Sequence, residues 1–212
     1  METDVEQFKR ALAWHSSDFS VALTLADIDR LANFYQLLVK WNPRLHLVAP
    51  CSSEEFAVRH MLESLLLLKH LPANARVADV GTGAGLPIVP CLLVRDDVQG
   101  VLIESSPRKC VFLREALRSS QSAERSRVIA RRFEDIRAPE VDFLTCRALD
   151  RFAELLPKIV AWAPRHTKFL LFTGEATRVQ IEALLAVDDI ERIPHSEKRF
   201  LIAASQLRRF RT

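Results

Sequence analysis

The sequence predicts an α/β fold: a mainly parallel seven-stranded sheet with one antiparallel strand, preceded by N-terminal helices. Three observations predict it. The first seventy residues are helical in pattern, short β-like runs alternate with helical segments from residue 76 onward, and a glycine-rich turn stands where the first β-like run meets a helix. A chain of 212 residues with 49% hydrophobic content is long enough for one filled α/β core and a modest appendage. The breaker Leu71-Pro72-Ala73-Asn74 divides it into a helical extension, residues 1–72, packed on an α/β domain, residues 73–212.

Within the extension, Thr24 with Asp27 forms a capping box ahead of Ile28, Leu31, Tyr35 and Leu38, one apolar helix face that Pro43 is expected to end. Ser52 with Glu55 repeats the capping pattern and opens a helix through Phe56, Leu62, Leu65 and Leu66. The expected strands are residues 76–80, 100–104, 128–130, 141–146 and 168–172. Between them, Ser106 (N-cap) and Pro107 (N1) start a helix with Cys110, Leu113 and Leu117 on one face. The helix after Arg147 carries Phe152, Leu155, Ile159 and Trp162. A last helix at 175–185 precedes two β-like runs, 190–193 and 200–203, a terminal hairpin that suits one antiparallel strand inserted in the sheet.

Composition narrows the function. Cys51, Cys91, Cys110 and Cys146 lack CxxC pairing or histidines at ligand spacing, so neither a metal site nor a disulfide framework is expected, and the thiols read as reduced and cytosolic. The charged start lacks an apolar leader core, and the longest apolar run is far too short to cross a bilayer, which argues against secretion and membrane insertion. A net charge of +3 is only mildly basic. Its distribution says more: Arg125, Arg127, Arg131 and Arg132 form one cluster, Arg147 and Arg151 a second, and Arg208, Arg209 and Arg211 a third, which together suit a polyanionic partner.

Chemistry concentrates in Asp79-Val80-Gly81-Thr82-Gly83-Ala84-Gly85-Leu86. Glycine there lets backbone approach a ligand closely, and Glu104, 23 positions after Gly81, closes the second strand where a ribose diol needs a carboxylate acceptor. A dinucleotide fingerprint would want glycine at 86, where this chain has Leu86. The pattern D-x-G-x-G-x-G instead resembles motif I of the Rossmann-like class I methyltransferases, making S-adenosylmethionine the expected cofactor. Asp79, Gly81, Thr82, Gly83, Gly85, Leu86 and Glu104 are its candidate ligands.

Further segments line up with one family across residues 34–203. They are Lys40-Trp41-Asn42 with Leu45-His46-Leu47, Arg59-His60 with Glu63-Ser64, and Leu102-Ile103-Glu104-Ser105 with Lys109 and Phe112-Leu113. Arg132-Phe133-Glu134 and Cys146-Arg147-Ala148 complete the series. In order and spacing the chain resembles the 16S ribosomal RNA guanine-N7 methyltransferases, the RsmG or GidB family. The resemblance implies a cytoplasmic, monomeric enzyme that methylates N7 of one guanine in the 530-loop region of 16S RNA in the small subunit. DNA and membranes are not expected partners. By the same resemblance Phe133 and Glu134 flank the adenine, while Arg147 contacts the cofactor or orders its pocket. Arg59, His60, Arg131, Arg151 and Arg199 are the candidate RNA contacts.

The sequence also departs from the family: Ile88 stands where a second glycine is usual, Cys146 where serine is, and Thr173 where lysine generally precedes Gly174. Thr173 cannot replace a cation, which leaves open a divergent member that binds cofactor and RNA with another target or without turnover. Guanine N7 carries an in-plane lone pair at neutral pH, so no catalytic base is assigned. Cys146 reads as a small buried residue rather than the nucleophile of a C5 methyltransferase. Trp14 and Trp41, at helical spacing, read as core rather than base-stacking platforms.

Overall fold

The computed structural model describes residues 3–120, 122–147 and 151–207. Arg208, Arg209 and Arg211 of the third arginine cluster, and Ala148 of the Cys146-Arg147-Ala148 segment, lie outside them. Seven strands form one sheet: β1 (Arg76–Val80), β2 (Gln99–Ile103), β3 (Ser126–Ile129), β4 (Phe143–Cys146), β5 (Lys168–Gly174), β6 (Leu185–Arg192) and β7 (Arg199–Gln206). Their order is β3-β2-β1-β4-β5-β7-β6, and every pairing is parallel except those of β7 with β5 and β6. The sheet reverses direction of growth between β1 and β4, which opens a crevice at the carboxyl ends of those strands, where ligands of open α/β sheets bind.

The helices are α1 (Asp4–His15), α2 (Leu25–Leu45), α3 (Ser53–Phe56), α4 (Glu63–Leu65), α5 (Ile88–Val94), α6 (Pro107–Ser119), α7 (Phe152–Trp162) and α8 (Glu175–Leu184). Thr24 and Asp27 form the expected reciprocal cap of α2, and the Ser106 hydroxyl accepts from the Lys109 amide at the start of α6. Phe8, Leu12, Leu31, Leu38, Met61 and Leu65 join α5, α6 and one sheet face in a single core. A second core, including Leu144, Leu156, Ile159 and Phe169, lies between the other face and α7 and α8.

Three expectations are corrected. Pro43 lies inside α2 rather than at its end: so near the terminus a missing N–H removes one helical bond only. The helix closes on His46, whose left-handed backbone (φ 48°) donates to the Asn42 carbonyl. Ser52 caps α3 through the Glu55 amide, but the Glu55 carboxylate turns to Arg59 instead of completing the box. The sixth strand begins at Leu185, earlier than expected, because an edge strand leaves most of its residues exposed and shows little apolar alternation.

Between α3 and α4 the backbone widens into a π turn, Ala57–Leu62, and after α4 tightens into a 3₁₀ segment, Leu66–His70. Such widened turns occur frequently at functional sites.

Candidate active site

β1 delivers the chain into a turn in which Gly81, Gly83 and Gly85 all take left-handed backbone, with φ of 70°, 55° and 79°. At Gly83 a Cβ would meet only the Gly81 carbonyl, at 3.8 Å, so its missing side chain leaves open space, and its left-handed backbone would strain any side chain placed there. Gly85 differs. A Cβ there would stand 2.6 Å from Val89 Cγ2 and 3.3 Å from Leu113 Cδ2, so this glycine packs the turn onto α5 and α6. It does not line the cavity, although sequence reading placed it with the cofactor ligands.

The Gly81 and Thr82 amides donate to the Ile103 carbonyl, stapling the turn to β2. Glu104 continues that staple: one carboxylate oxygen accepts from the Gly83 amide at 3.0 Å and the other from the Ser106 amide at 2.7 Å. Each oxygen keeps a further lone pair for a ligand. Asp79 lies beneath the turn, fully buried, accepting from the Thr82 hydroxyl at 2.6 Å. Burial pushes its carboxyl up to about 8. Asp79 supports the turn and does not line the cavity.

The opposite wall is an ion cluster. Glu63, 1% exposed, meets Arg147 at 2.9 Å through one carboxylate oxygen and Arg199 at 2.6 Å through the other. Arg147 also donates to the Ser64 hydroxyl at 3.3 Å and to the Arg59 carbonyl, and its guanidinium sits 5.4 Å from the centre of the Phe172 ring. Burial pushes the Glu63 carboxyl up and the Arg147 guanidinium down. The two cations on Glu63 oppose the first shift without cancelling it. One side chain from the end of β4 thus clamps the π turn and α4 onto the sheet. His60, on the π turn, is pushed down to about 3 by burial and by the charges of Arg147, Arg59 and Arg199, so it is neutral at physiological pH.

Between these walls lies a cavity of about 780 Å³. Gly81, Thr82, Gly83, Leu86, Glu104 and Arg147 line it, as do Arg59, His60 and Arg199. Phe133 and Glu134 do not: they follow β3 in a 3₁₀ turn, Phe133 buried edge-on against Trp162 and Glu134 exposed. Arg131 and Arg151 are exposed outside the cavity, Arg151 paired with Glu154. Arg125, within the first arginine cluster, is spent internally on the Leu92 and Val98 carbonyls. Cys146 is buried in the second core with its thiol pushed far up, which suits the non-nucleophilic reading. Trp41 packs edge-on against Phe112, whereas Trp14 is 77% exposed and does not join the core.

Sequence reasoning missed Glu63, Lys109 and Phe172 as site residues, along with residues 47–49, all of which line the cavity. One signal was present. The Asn42 side-chain amide bonds both the carbonyl and the amide of Val48, at 3.1 and 3.0 Å, which explains why an asparagine precedes the 45–47 segment. Thr173 also lines the cavity, its hydroxyl turned to Thr177 and the Gly174 carbonyl. Arg199 pairs in register with Gly174, so a cation stands on the neighbouring strand beside the position where lysine was expected.

The donor set fits S-adenosylmethionine. The cavity has the size of small-molecule sites, its glycine turn has room at Gly83, and the Glu104 oxygens retain acceptor capacity. Among the lining residues four basic side chains (Arg59, Lys109, Arg147, Arg199) face two carboxylates (Glu63, Glu104), an excess that favours an anionic partner.

Comparison with known proteins bears on the same residues. The family described as GidB, rRNA small subunit methyltransferase G, matches residues 27–205. A ribosomal RNA small subunit methyltransferase G from Gluconobacter oxydans (strain 621H) is 40% identical over 129 residues, 60% of this chain and 65% of that protein. Another, from Halorhodospira halophila (strain DSM 244 / SL1), is 31% identical over 181 residues, 84% of this chain and 86% of that protein. A third, from Xanthomonas axonopodis pv. citri (strain 306), is 39% identical, and the match spans 59% of each chain. The chain thus spans less than two thirds of the Gluconobacter and Xanthomonas relatives. Among solved structures, an RNA methyltransferase from Salinibacter ruber in complex with S-adenosyl-L-homocysteine aligns with a TM-score of 0.55 at 15% identity, over 69% of this chain and 90% of that one. A SAM-dependent methyltransferase from Aquifex aeolicus aligns at 0.53 and 19% identity, over 66% and 88%. These likenesses show the fold of the class I S-adenosylmethionine-dependent methyltransferases.

Proposed function

The chain belongs to the rRNA small subunit methyltransferase G family, and from that premise we propose that it transfers a methyl group from S-adenosylmethionine to N7 of one guanine in 16S ribosomal RNA. The observation that carries this reading is convergence. Gly81, Leu86, Glu104 and Arg147, drawn from separate segments of the family resemblance, line one cavity. We read residues 1–72 as an extension of the catalytic unit 73–212, since both contribute to one core. No described helix is long and apolar enough to cross a membrane, and a cytoplasmic monomer is the form proposed.

In this reading Glu104 holds the ribose hydroxyls and Gly81, Thr82, Gly83 and Leu86 hold the amino-acid end, while Phe133 and Glu134, outside the cavity, are given no contact with the cofactor. When bound, the cofactor supplies an electrophilic methyl group on a sulfonium. The protein's task is to position and to exclude water. Holding the guanine in line removes much of the orientational cost of a bimolecular step, worth about 7–11 kcal/mol in favourable cases. N7 needs no deprotonation, and the methylated imidazole ring becomes cationic. A neutral His60 adds no opposing charge to that ring, and Arg59 and Arg199, which line the cavity, are the proposed phosphate contacts.

The test is incubation with labelled cofactor and, separately, small subunits, free 16S RNA and large-subunit RNA, followed by borohydride–aniline cleavage to map N7-methylguanine. Label at one guanine of small-subunit RNA is expected. Label only on large-subunit RNA, on another base atom or on a small metabolite overturns the reading. Cofactor binding with no label on any RNA would instead favour the divergent reading that Thr173 motivates.

A further inference from the structure

Away from the cavity, the end of α1, the 3₁₀ turn Ser16–Phe19 and the loop joining β6 to β7 meet at three side chains. Asp18 Oδ2 lies 3.3 Å from His15 Nδ1 and 3.0 Å from His195 Nε2. One ligand atom from each of His15, Asp18 and His195 lies within 4.8 Å of the others. We infer that His15, Asp18 and His195 form a binding site for a divalent transition-metal ion, zinc foremost, that ties the N-terminal helices to the β6–β7 loop.

The geometry suits that ion. Four ligands at 2.0–2.1 Å around a tetrahedral zinc stand roughly 3.3 Å from one another, close to both histidine–aspartate separations here. Two imidazoles and one carboxylate supply three protein ligands, and the partial exposure of the site leaves a fourth position for water. The other nitrogen of His15, Nε2, faces Glu54 Oε1 at 3.4 Å, the carboxylate–histidine arrangement that orients a metal-bound imidazole. His195 is held in place by more than its hydrogen bond: its ring stacks on Phe19 and meets His15 edge-on. Its backbone is left-handed at φ 59°.

Sequence alone does not show such a site, because His15 and Asp18 are one short pair and their partner comes from the far end of the chain. The ion would act at a distance from methyl transfer. The loop it fixes is the one that carries Ile193 and Arg199 to the cavity, and Arg199 donates to Ser196 within it.

The test uses the full chain stripped with chelator, titrated with zinc by calorimetry and with cobalt(II) by absorption, above the histidine titration range. One equivalent of zinc, tetrahedral cobalt absorption and a zinc-dependent rise in Tm are expected. Asp18→Asn and His195→Ala should abolish all three, and Glu54→Gln should weaken zinc by roughly 10–100-fold. Both positions are partly exposed, so these variants are expected to fold, which circular dichroism checks. No stoichiometric uptake, which leaves a plain hydrogen-bonded clasp, overturns the inference. So does uptake that survives in Asp18→Asn and His195→Ala or disappears in Cys51→Ser.

Discussion

The Gly81–Leu86 turn and the Glu63–Arg147–Arg199 cluster face each other across one cavity, yet they are built in different ways. The turn is local: its three glycines fall within five residues, its fastenings are backbone amides, and Glu104 directly follows the strand beside it. The cluster draws one residue from α4, one from the end of β4 and one from β7, and is fastened by charge. A local wall tolerates separation from the rest of the fold, whereas a cluster of buried charges holds only when all three elements are in place. The turn therefore reads as the ligand platform, and the cluster as the device that docks the helical extension onto the sheet.

The largest expected effect breaks the cluster. Glu63→Gln leaves two guanidiniums facing a neutral amide, and removal of a buried counter-charge costs about 3–5 kcal/mol. Denaturant unfolding should show that loss; a change below about 1 kcal/mol would mean that the cluster does not dock the extension. Next comes the turn's packing glycine. Gly85→Ala should lose about 1–3 kcal/mol through contact with Val89 while the folded fraction keeps its cofactor affinity. Lost affinity with unchanged stability would reverse the assigned roles of Gly85 and Gly83.

A third effect compares the walls by pH. Asp79, near 3.8 when unfolded and about 8 when folded, binds its proton more tightly in the native state. Its contribution is full below about 3.8 and is lost as pH rises to about 8. His60, near 6.5 when unfolded and about 3 when folded, acts in the opposite sense: its contribution is full above about 6.5 and is lost as pH falls to about 3. Of these two groups only Asp79 titrates between about 6.5 and 8, so Asp79→Asn should flatten the fall in stability there, read from unfolding curves across that range. A slope unchanged in the variant would contradict the burial argument.

The smallest effect concerns Arg59, exposed and paired with Glu55. Arg59→Gln should change stability by less than about 1 kcal/mol and reduce the salt dependence of RNA binding by about one phosphate contact. An unaltered salt slope in filter binding would remove Arg59 from the RNA surface.

The same contrast explains what the sequence reveals. The succession of strands and helices along the chain, the terminal hairpin and the glycine turn follow from local signals: a β-like run, a turn, a helix cap at Ser106. Glu104 was legible because the neighbouring strand fixes its distance from the turn. Glu63 was not, because its role depends on Arg147 and Arg199, which lie 84 and 136 positions away in sequence. Gly85 was grouped with the cofactor ligands for a related reason: a glycine needed for packing and one needed for a ligand look alike until Val89 and Leu113 are in place. Arg125 shows the converse, a surface-like arginine that the fold turns inward to cap carbonyls.

The central claim, that the cavity between the two walls is the S-adenosylmethionine site with Gly83 at its contact edge, is tested most directly by calorimetry. S-adenosylmethionine is titrated into the native chain and into Gly83→Val, with circular dichroism to establish that both are folded. One-to-one binding to the native chain and none to a folded Gly83→Val is the predicted result. Equal affinity in the two proteins would contradict it.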